Sequence, residues 1–545
     1  MKQDSISDLL KRLDQLNQIG AALSQERDHT RLMEMILEAA KTITNADGGT
    51  LYRMSEDRKS LRFEILQTDS LHLKLGGTTG SDVTLPNLQL FDEHGKPNDA
   101  LVATYAVNHK TTVNIADVYN ATNGNTHFDF SGTHRFDART GYRSQSFLAV
   151  PMKSHEGDVI GVLQLINAKP YDSATVMAFS EADQSLAESL ASQAAIAMSN
   201  AMLSRQLEDL FESFINVINL AIDDKSPHTG GHCQRVPELT MMLAEAAHKA
   251  TQGPLASFVM EDRDRYELKI AGLMHDCGKV TTPVHVVDKA TKLQTIYDRI
   301  GLIDTRFEVL KRDEEIAALR QQLTLRPVVN AQEEAALSIH TQTRMETMDE
   351  DREFLRRSNR GSESMPAADL QRVRDISHKY QWRNGQADVG DFLDPDELEN
   401  LTIRAGTLTQ SEREIINHHI VATNKMLEQL PWPCHLRNVP EYAGGHHERM
   451  DGKGYPKGLT KDQMSVQARV MGIADIFEAL TACDRPYKSG MKLSQAMGIL
   501  HKFSRNGHID PDLFNIFVEH GLYRIYADKF LQPWQIDEVN PQDWQ

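Results

Sequence analysis

The sequence predicts a multidomain protein in which an α+β domain is joined by a long helix to an all-α domain that has a helical insertion. The 545 residues exceed what a single hydrophobic core holds, so two or three domains are expected. Strand-like alternation is confined to residues 30–200, and the pattern is helical from residue 215 onward. The predicted segments are an N-terminal helix (1–29), the α+β domain (30–200), a connecting helix (201–222) and the all-α domain (223–545), with the insertion at about 294–403.

Composition and charge exclude several classes of protein. With 40% hydrophobic and 25% charged residues, the chain has no apolar run of the roughly 18 residues that a membrane span needs. The first residues lack the apolar core of a signal peptide, and the four scattered cysteines form no Cys-x-x-Cys pair, so we expect a cytoplasmic protein. A formal net charge of -18 argues against polymeric nucleic acid as a partner.

The N-terminal helix carries an apolar stripe with the three- and four-residue spacing of a coiled coil. The stripe consists of Ile6, Leu9, Leu13, Leu16, Gly20 and Leu23. Two interpretations are open, because the same stripe suits a homodimer seam and a helix that packs on its own domain.

Residues 30–200 combine helices with alternating strands. A helix over about 30–44 is expected to end at Gly48 and Gly49. Strands are predicted at 50–54, 61–66, 146–152 and 159–167. The polar stretch between them, about 76–145, is predicted as a long functional loop.

This segment resembles a GAF domain, a small-ligand sensor module. The resemblance rests on 140–144, 150–152, 161–167 and 179–183. Members that bind cyclic nucleotides carry an Asn-Lys…Phe-x-x-x-Asp-Glu pattern, which Asn167, Phe179 and Asp183 match. Ala168 and Gln184 depart from it, which argues against cyclic-nucleotide binding. The resemblance then implies an unknown small ligand or a role in dimerisation.

The connecting helix continues the heptad spacing toward the all-α domain. Its apolar positions are Leu203, Leu207, Leu210, Phe214, Val217 and Ala221. This continuity favours transmission of a signal from the α+β domain, and an interdomain spacer is the alternative. Farther on, 289–293 and 404–409 look like the two edges of one interrupted turn. The charged residues between them are therefore predicted to be an inserted subdomain, with helices at 306–326 and 331–357 and a looser part after Gly361.

Histidines and acids recur in five stretches of the all-α domain. The stretches are 227–232, 275–279, 411–419, 446–447 and 470–477. Asp276 and Asp475 adjoin apolar runs, and buried carboxylates need a partner or a metal ion. Imidazole and carboxylate without thiolate favour a hydrolytic centre of iron or manganese, with zinc or nickel as alternatives. So many ligands suit two ions, and Asp276 is the natural bridge between them.

These stretches resemble the HD-GYP family of cyclic di-GMP phosphodiesterases. The resemblance rests on His275-Asp276, Lys279, His446-His447 and the Gly-Tyr-Pro at 454–456, together with 229–236, 473–475 and 485–488. It implies metal-dependent hydrolysis of cyclic di-GMP to linear pGpG and/or GMP. It also implies the metal ligands His232, His275, Asp276, His419, His446, His447 and Asp475. Members with three metals have a glutamate where this chain has His228, so His228 is a candidate ligand of a third ion.

Several cationic and aromatic residues are candidates for binding the substrate. Lys279 follows Asp276 closely enough to hold a non-bridging phosphate oxygen and to offset charge in the transition state. Arg485 and Lys488 suit the second phosphate, and Arg449 can also hold an anion. Tyr455 is positioned to stack on a guanine or to contact phosphate.

Two other functions compete with this prediction. One is an HD-type phosphohydrolase that acts on another nucleotide, although the second His-His pair and the Gly-Tyr-Pro turn argue against that simpler site. The other is a cyclic di-GMP receptor with little turnover, which signals through a partner protein. Separating the products after incubation with cyclic di-GMP distinguishes the three functions.

Overall fold

A computed structural model gives the fold of this chain. It describes residues 2–26, 28–78, 80–120, 128–170, 175–225, 231–325, 331–362, 364–383, 389–483 and 490–540. The chain divides into two compact units, Met1–Leu210 (unit 1) and Phe211–Gln545 (unit 2). None of the helices in the described ranges combines the length and the apolar character that a membrane crossing requires.

Unit 1 is a sheet with helices on both faces. Its helices are α1 (Lys2–Gln25), α2 (His29–Thr44), α3 (Val102–Asn108), α4 (Ser131–Thr140) and α5 (Glu181–Lys225), the last of which continues into unit 2. Its strands are β1 (Ala46–Met54), β2 (Ser60–Thr68), β3 (Leu73–Gly76), β4 (Leu88–Gln89), β5 (Val113–Ile115), β6 (Phe147–Lys153) and β7 (Val159–Ala168).

The sheet is antiparallel, in the order β3-β2-β1-β7-β6-β5, with β4 also paired to β2. The four predicted strands correspond to β1, β2, β6 and β7. The predicted loop at 76–145 instead contains β4, α3, β5 and α4. Periodicity missed β4 and β5 because strands of two or three residues are too short to alternate.

The end of α2 corrects one sequence prediction. Asp28 caps the start of this helix by accepting a hydrogen bond from the Arg31 backbone at 2.7 Å. Asn45 ends it in the left-handed conformation, with φ of 48°. Gly48 and Gly49 do not end the helix. Both lie within β1, where they sit close to the neighbouring strands.

Part of the apolar stripe of α1 packs inside its own unit. Leu13 of the stripe is 41% exposed, and Ile6 and Leu9 lie outside the residues whose side chains are described. Leu16 and Leu23 are buried in one hydrophobic cluster with the first part of α5. At Gly20 the two helices approach so closely that a Cβ atom would lie 2.1 Å from the Gln193 amide oxygen. Leu16 and Leu23 are therefore part of a domain core, which leaves α5 to carry the longer exposed apolar stripe.

The residues that match the cyclic-nucleotide pattern have structural contacts. Asn167 is buried; its amide oxygen accepts from the backbone of Gln145 and Ser146, and its nitrogen donates to Tyr142 and Arg143. Asp183 caps the start of α5 and pairs with Arg12 at 2.5 Å. These contacts account for both residues without a ligand.

Unit 2 is mostly helical. Beyond the end of α5, its helices are α6 (His232–His248), α7 (Asp262–Met274), α8 (Val284–Val287), α9 (Ile300–Leu325), α10 (Ala331–Ser358), α11 (Ala367–Lys379), α12 (Pro395–Leu401), α13 (Gln410–Leu427), α14 (Val439–Gly444), α15 (Val466–Thr481), α16 (Leu493–Arg505), α17 (Pro511–Glu519) and α18 (Leu522–Phe530). Short 3-10 turns occur at Cys277–Thr281, Lys461–Gln463 and Pro533–Gln535. Two strands, β8 (Gln381–Arg383) and β9 (Val389–Asp391), form a hairpin.

Two separate hydrophobic clusters stabilise unit 2. The larger joins α6, α7, α14 and α15 to the C-terminal helices, and the smaller lies within residues 293–401. Residues from Leu293 to Leu401 thus share a cluster of their own, and the inserted subdomain at about 294–403 stays a prediction. The part after Gly361 contains α11, the β8–β9 hairpin and α12, so the prediction of a looser part there is wrong.

Candidate metal centre

Seven histidine and aspartate side chains meet in unit 2. They are supplied by the start of α6 (His232), the residues after α7 (His275 and Asp276), α13 (His419), the residues after α14 (His446 and His447) and α15 (Asp475). The seven form two groups, and within each group the ligand atoms lie within 4.8 Å of one another.

The first group contains His232, His275, Asp276 and Asp475. The Nε2 atom of His232 lies 2.9 Å from Oδ2 of Asp276 and 3.3 Å from Oδ1 of Asp475. The Nε2 atom of His275 lies 3.3 Å from the same Asp276 oxygen. Two imidazoles and two carboxylates thus converge on one point, a donor set that suits a divalent first-row metal.

The second group contains His419, His446 and His447. The Nε2 atoms of His419 and His447 lie 3.2 Å apart. Asp276 also reaches this group, because its Oδ1 lies 3.2 Å from Nε2 of His419. The two oxygens of Asp276 therefore face different groups.

Hydrogen bonds fix the orientation of four of the imidazole rings. Nδ1 of His275, His419 and His446 lies within 2.5–2.7 Å of the backbone carbonyl three residues earlier. Nδ1 of His232 lies 2.5 Å from Oε2 of Glu478. Because Nδ1 of His275, His419 and His446 donates its proton to a carbonyl, the Nε2 lone pair of each of these neutral rings points into the cluster.

Two buried acceptors in the cluster have no donor among the described residues. They are Nε2 of His446 and Oδ1 of Asp276. His419 lies near this Asp276 oxygen but donates from its other nitrogen, so it supplies no hydrogen bond. Buried acceptors without donors are costly, and metal ions at this point would satisfy them. The residues therefore fit a metal centre.

Burial and charge set the protonation of the metal-free cluster. Burial, together with the neighbouring imidazoles, holds the pKa of His446 well below its usual value and lowers the pKa of His447 to about 4. Both rings are therefore neutral at neutral pH, as metal binding requires. Burial opposes a charge on His232, but the Glu478, Asp276 and Asp475 carboxylates raise the pKa of His232 well above its usual value.

The carboxylates of the cluster are held in the ionised form. Burial alone would raise their pKa values, but Lys279 and His275 hold the pKa of Asp276 well below its usual range. His232 has the same effect on the pKa of Asp475. Both acids are therefore available as anionic ligands at neutral pH.

The segment after His447 folds into a tight loop beside the second group. Glu448 is buried, and its carboxylate accepts hydrogen bonds from the backbone of Lys457 at 2.7 Å and Leu459 at 2.8 Å. At Gly454 a Cβ atom would lie 2.4 Å from the Arg449 nitrogen, so no side chain fits there. The loop lays the ring of Tyr455 on His447, with ring centroids 4.9 Å apart and an interplanar angle of 22°.

Three of the predicted substrate-binding residues are described. Lys279 lies in the short 3-10 turn after Asp276, and its Nζ is 2.5 Å from Oδ2 of that aspartate. Tyr455 covers His447. The Arg449 guanidinium is bound by Asp451 through contacts of 3.1 and 2.7 Å, so this pair must separate before Arg449 can bind an anion with both nitrogens.

Three predicted site residues lie outside the described residues. They are His228, Arg485 and Lys488.

Sequence reasoning missed a buried pair behind the first group. Glu478 is fully buried and joins Nδ1 of His232 to Arg235, whose guanidinium lies 2.6 and 2.9 Å from the other carboxylate oxygen. Burial would raise its pKa, but His232 and Arg235 lower the pKa of Glu478 to about 2. A signal was present, because Arg235 and Glu478 each follow a ligand by three positions, the spacing of one helix face.

Family models match most of the two units. The GAF domain model matches residues 28–198. One HD domain model matches 229–367, and a second HD domain model matches 342–513. These two HD matches overlap, and the first group of ligands draws on both of them, because His232 and His275 lie in one and Asp475 in the other.

Several curated proteins are similar to part of the chain. A Vibrio cholerae serotype O1 protein named 3'3'-cGAMP-specific phosphodiesterase 1 is 34% identical over 133 residues, which are 24% of this chain and 29% of that protein. A Pseudomonas aeruginosa cyclic di-GMP phosphodiesterase is 36% identical over 141 residues, which are 26% of this chain and 32% of that protein. The matches thus span less than a third of either relative.

Solved GAF domains are similar to unit 1. The GAF domain of an Acinetobacter phosphoenolpyruvate-protein phosphotransferase is 20% identical, with 35% of this chain and 95% of that chain covered and a TM-score of 0.25. The family matches identify the two parts of the molecule. The chain joins a GAF domain to an HD domain.

Proposed function

We propose that this protein is a metal-dependent phosphodiesterase that hydrolyses cyclic di-GMP to linear pGpG and/or GMP. The observation that carries the proposal is the position of Asp276, whose two oxygens face separate groups of ligands. A carboxylate that serves two groups is the arrangement expected of a bridged two-metal hydrolase. The choice of substrate is supported by the relatives named cyclic di-GMP phosphodiesterases.

The proposed centre holds two adjacent divalent cations. Its donor set consists of imidazoles and carboxylates, which favours iron or manganese. When bound, such a pair supplies a water of lowered pKa and neutralises charge on the phosphate. His228 stays a candidate ligand for a third ion. Elemental analysis of His228→Ala against the parent tests this role, since an unchanged metal content per chain removes His228 from the ligand set.

The residues around the cluster would position the substrate. Lys279 lies beside Asp276 and would hold a non-bridging phosphate oxygen, which offsets charge that develops in the transition state. The Tyr455 ring closes one side of the second group and offers a surface for stacking on guanine. Arg449, Arg485 and Lys488 would bind the second phosphate.

A second candidate substrate is 3'3'-cGAMP, because three of the similar Vibrio cholerae proteins are named 3'3'-cGAMP-specific phosphodiesterases. The two substrates share the phosphodiester and differ in one base. Receptor function with little turnover and hydrolysis of another nucleotide are the remaining alternatives.

One experiment separates these functions. The full chain, purified without oxygen and loaded with iron or manganese, is incubated with cyclic di-GMP or with 3'3'-cGAMP, and the products are separated by chromatography. Linear dinucleotide or mononucleotide from cyclic di-GMP supports the proposal, and faster cleavage of 3'3'-cGAMP supports the second candidate. Saturable binding without products indicates a receptor, and loss of another nucleotide alone indicates a different phosphohydrolase.

We include regulation by the GAF domain and a homodimer in the proposal. Large apolar side chains on α5 are exposed at heptad spacing, with exposed fractions of 50% for Leu203, 66% for Leu207, 52% for Leu210, 60% for Phe214 and 61% for Val217. Apolar rows of this length on a helix are typical of a coiled-coil seam. A second copy of α5 would bury the row and connect the GAF domains of two chains. An unknown small ligand would bind the GAF domain.

A cytoplasmic location fits the four cysteines, all of which are free.

A further inference from the structure

A basic cavity lies within the insertion and is built from residues that the metal centre does not use. Its volume is about 280 Å³, and it is lined by residues of 354–372 together with Lys292. Among the described residues that line it, four are cations, namely Lys292, Arg357, Arg360 and Arg372, and one is an acid, Asp369. Arg372 also pairs with Asp351 at 3.2 Å. The chain as a whole carries a formal net charge of -18, so this cavity reverses the general sign of the protein.

Two of the lining arginines, Arg357 and Arg360, are exposed. Among the described residues, neither Arg357 nor Arg360 has a side-chain hydrogen bond or an ion pair. By contrast, Arg356 on the same helix pairs with Asp304 at 3.0 Å, and Arg352 pairs with Asp349 at 2.6 Å. The guanidinium groups of Arg357, in the last turn of α10, and of Arg360, just after that helix, are therefore available to an anion in solution.

The inner wall contains a buried cation. Lys292 is 1% exposed, and its Nζ donates hydrogen bonds to the carbonyls of Ile403 at 2.8 Å and Leu401 at 3.2 Å. None of the carboxylates in the described ranges pairs with it. Burial lowers the pKa of Lys292 to about 8. A buried charge without a counter-charge is costly, and an anion in the adjoining cavity would offset that cost.

Neutral donors complete the lining. The hydroxyl-bearing residues Ser358, Ser362 and Ser364 line the cavity. Helix α11 begins at the same wall, and Pro366 at its N-cap position provides no side chain to bond the first backbone N–H groups. Hydroxyls and the backbone N–H groups of a helix start, beside guanidinium groups, are donors from which phosphate oxygens accept hydrogen bonds.

We propose that this cavity binds a phosphate-bearing anion, such as inorganic phosphate or a phosphomonoester. The exposed Arg357 and Arg360 grip the phosphate oxygens, the serines and the start of α11 donate further hydrogen bonds, and Lys292 supplies charge from behind. The site is separate from the metal centre and does not depend on the function proposed above.

Hydrogen exchange measured by mass spectrometry tests this site, because it reports each segment of the full chain separately. Inorganic phosphate is titrated into the wild type and into the double variant Arg357→Gln/Arg360→Gln. We expect phosphate to slow exchange in the peptides that cover 357–372, and the double variant to need at least a tenfold higher phosphate concentration. Both arginines are exposed and have no ion pair within the described part of the chain, so the double variant is expected to fold normally. Unchanged exchange of α9 without phosphate checks this point.

A charge-matched control is the double variant Arg320→Gln/Arg374→Gln, which removes two exposed arginines of the insertion outside the cavity. It is expected to bind phosphate as the wild type does. Two results overturn the proposal: no phosphate-dependent slowing in 357–372, or slowing that is the same in the wild type and in the Arg357/Arg360 variant. Phosphate bound only at the metal centre would slow exchange around 275–279 and 446–456 instead, and that result also overturns it.

Discussion

Oε2 of Glu478 lies 2.5 Å from Nδ1 of His232, in a contact from which solvent is excluded. Glu478 follows Asp475 by three positions on α15, so one helix supplies both a candidate metal-binding carboxylate and the acid that orients a candidate metal-binding histidine. Arg235 holds the other oxygen of Glu478 and prevents the carboxylate from turning away. Glu478 is thus a positioning residue for the metal centre.

Replacing Glu478 with Gln should weaken metal binding without removing a ligand. Without the negative charge, His232 donates electron density to a metal ion less well, and its ring is held less firmly. Removing a hydrogen-bond partner of a metal ligand typically lowers metal affinity by about 10- to 100-fold. Competition with a chelator measures the change. Glu519→Gln, an exposed position on α17, is the control and should match the wild type. Wild-type affinity in Glu478→Gln would mean that the contact does not orient the ligand.

Replacing Asp276 with Asn should abolish turnover and reduce the metal content of both groups. The amide keeps the shape of the side chain but cannot supply an anionic oxygen to each group. Metal analysis and circular dichroism on the same sample separate loss of metal from loss of fold. Asp528→Asn, exposed on α18, serves as the matched control. Full activity in Asp276→Asn would refute the two-metal arrangement.

Replacing Lys279 with Met should leave the metal content intact and lower kcat by about 100- to 1000-fold, the usual cost of removing one charge-stabilising donor. The reason is that Lys279 contacts Oδ2 of Asp276, so its charge lies beside the proposed position of the phosphate. Lys279→Arg should recover part of the rate, because it restores the positive charge. Normal turnover in Lys279→Met would assign the lysine to the ion pair with Asp276 alone.

The buried Lys292 should make stability depend on pH. Burial lowers its pKa in the folded state to about 8 from an ordinary value of 10.5. Between these two values the unfolded chain binds the proton and the folded chain does not, so stability rises with pH, by at most about 1.4 kcal/mol per pH unit. Below about pH 8 Lys292 is protonated in both states, so the full cost of burying its charge remains.

Lys292→Met removes this dependence. The free energy of unfolding is measured with denaturant for the wild type and the variant at several pH values. The difference between the two free energies should change only in that pH window, where the wild type becomes more stable relative to Lys292→Met as pH rises. Lys425→Met, at an exposed position on α13, is the control and should run parallel to the wild type. A constant difference between wild type and Lys292→Met would contradict the prediction.

Replacing Leu207 with Glu should disrupt the proposed dimer. Leu207 is 66% exposed in the single chain, so the substitution does not disturb the fold, but it places a charge in the middle of the apolar row. Light scattering measures the mass in solution. Arg205→Glu adds a negative charge to the same helix away from the row and should leave the mass unchanged. A monomeric wild type would remove the homodimer from the proposal.

The sequence by itself determined the long, regular elements and the chemical type of the site. Alternation over β1, β2, β6 and β7 and helical spacing over α9 and α10 are local properties, so a single chain segment is enough to reveal them. The residue types around His275 and Asp276 likewise indicated an imidazole and carboxylate centre, because metal preference follows from donor atoms.

Tertiary structure alone decided what each of these residues contacts. The division of ligands into two groups, with Asp276 shared, follows from the packing of five helices that are distant in sequence. The same holds for Glu478 behind His232 and for Leu16 and Leu23 of α1, which pack into their own domain. Periodicity shows which face of a helix is buried but not which partner buries it, because that choice depends on long-range packing.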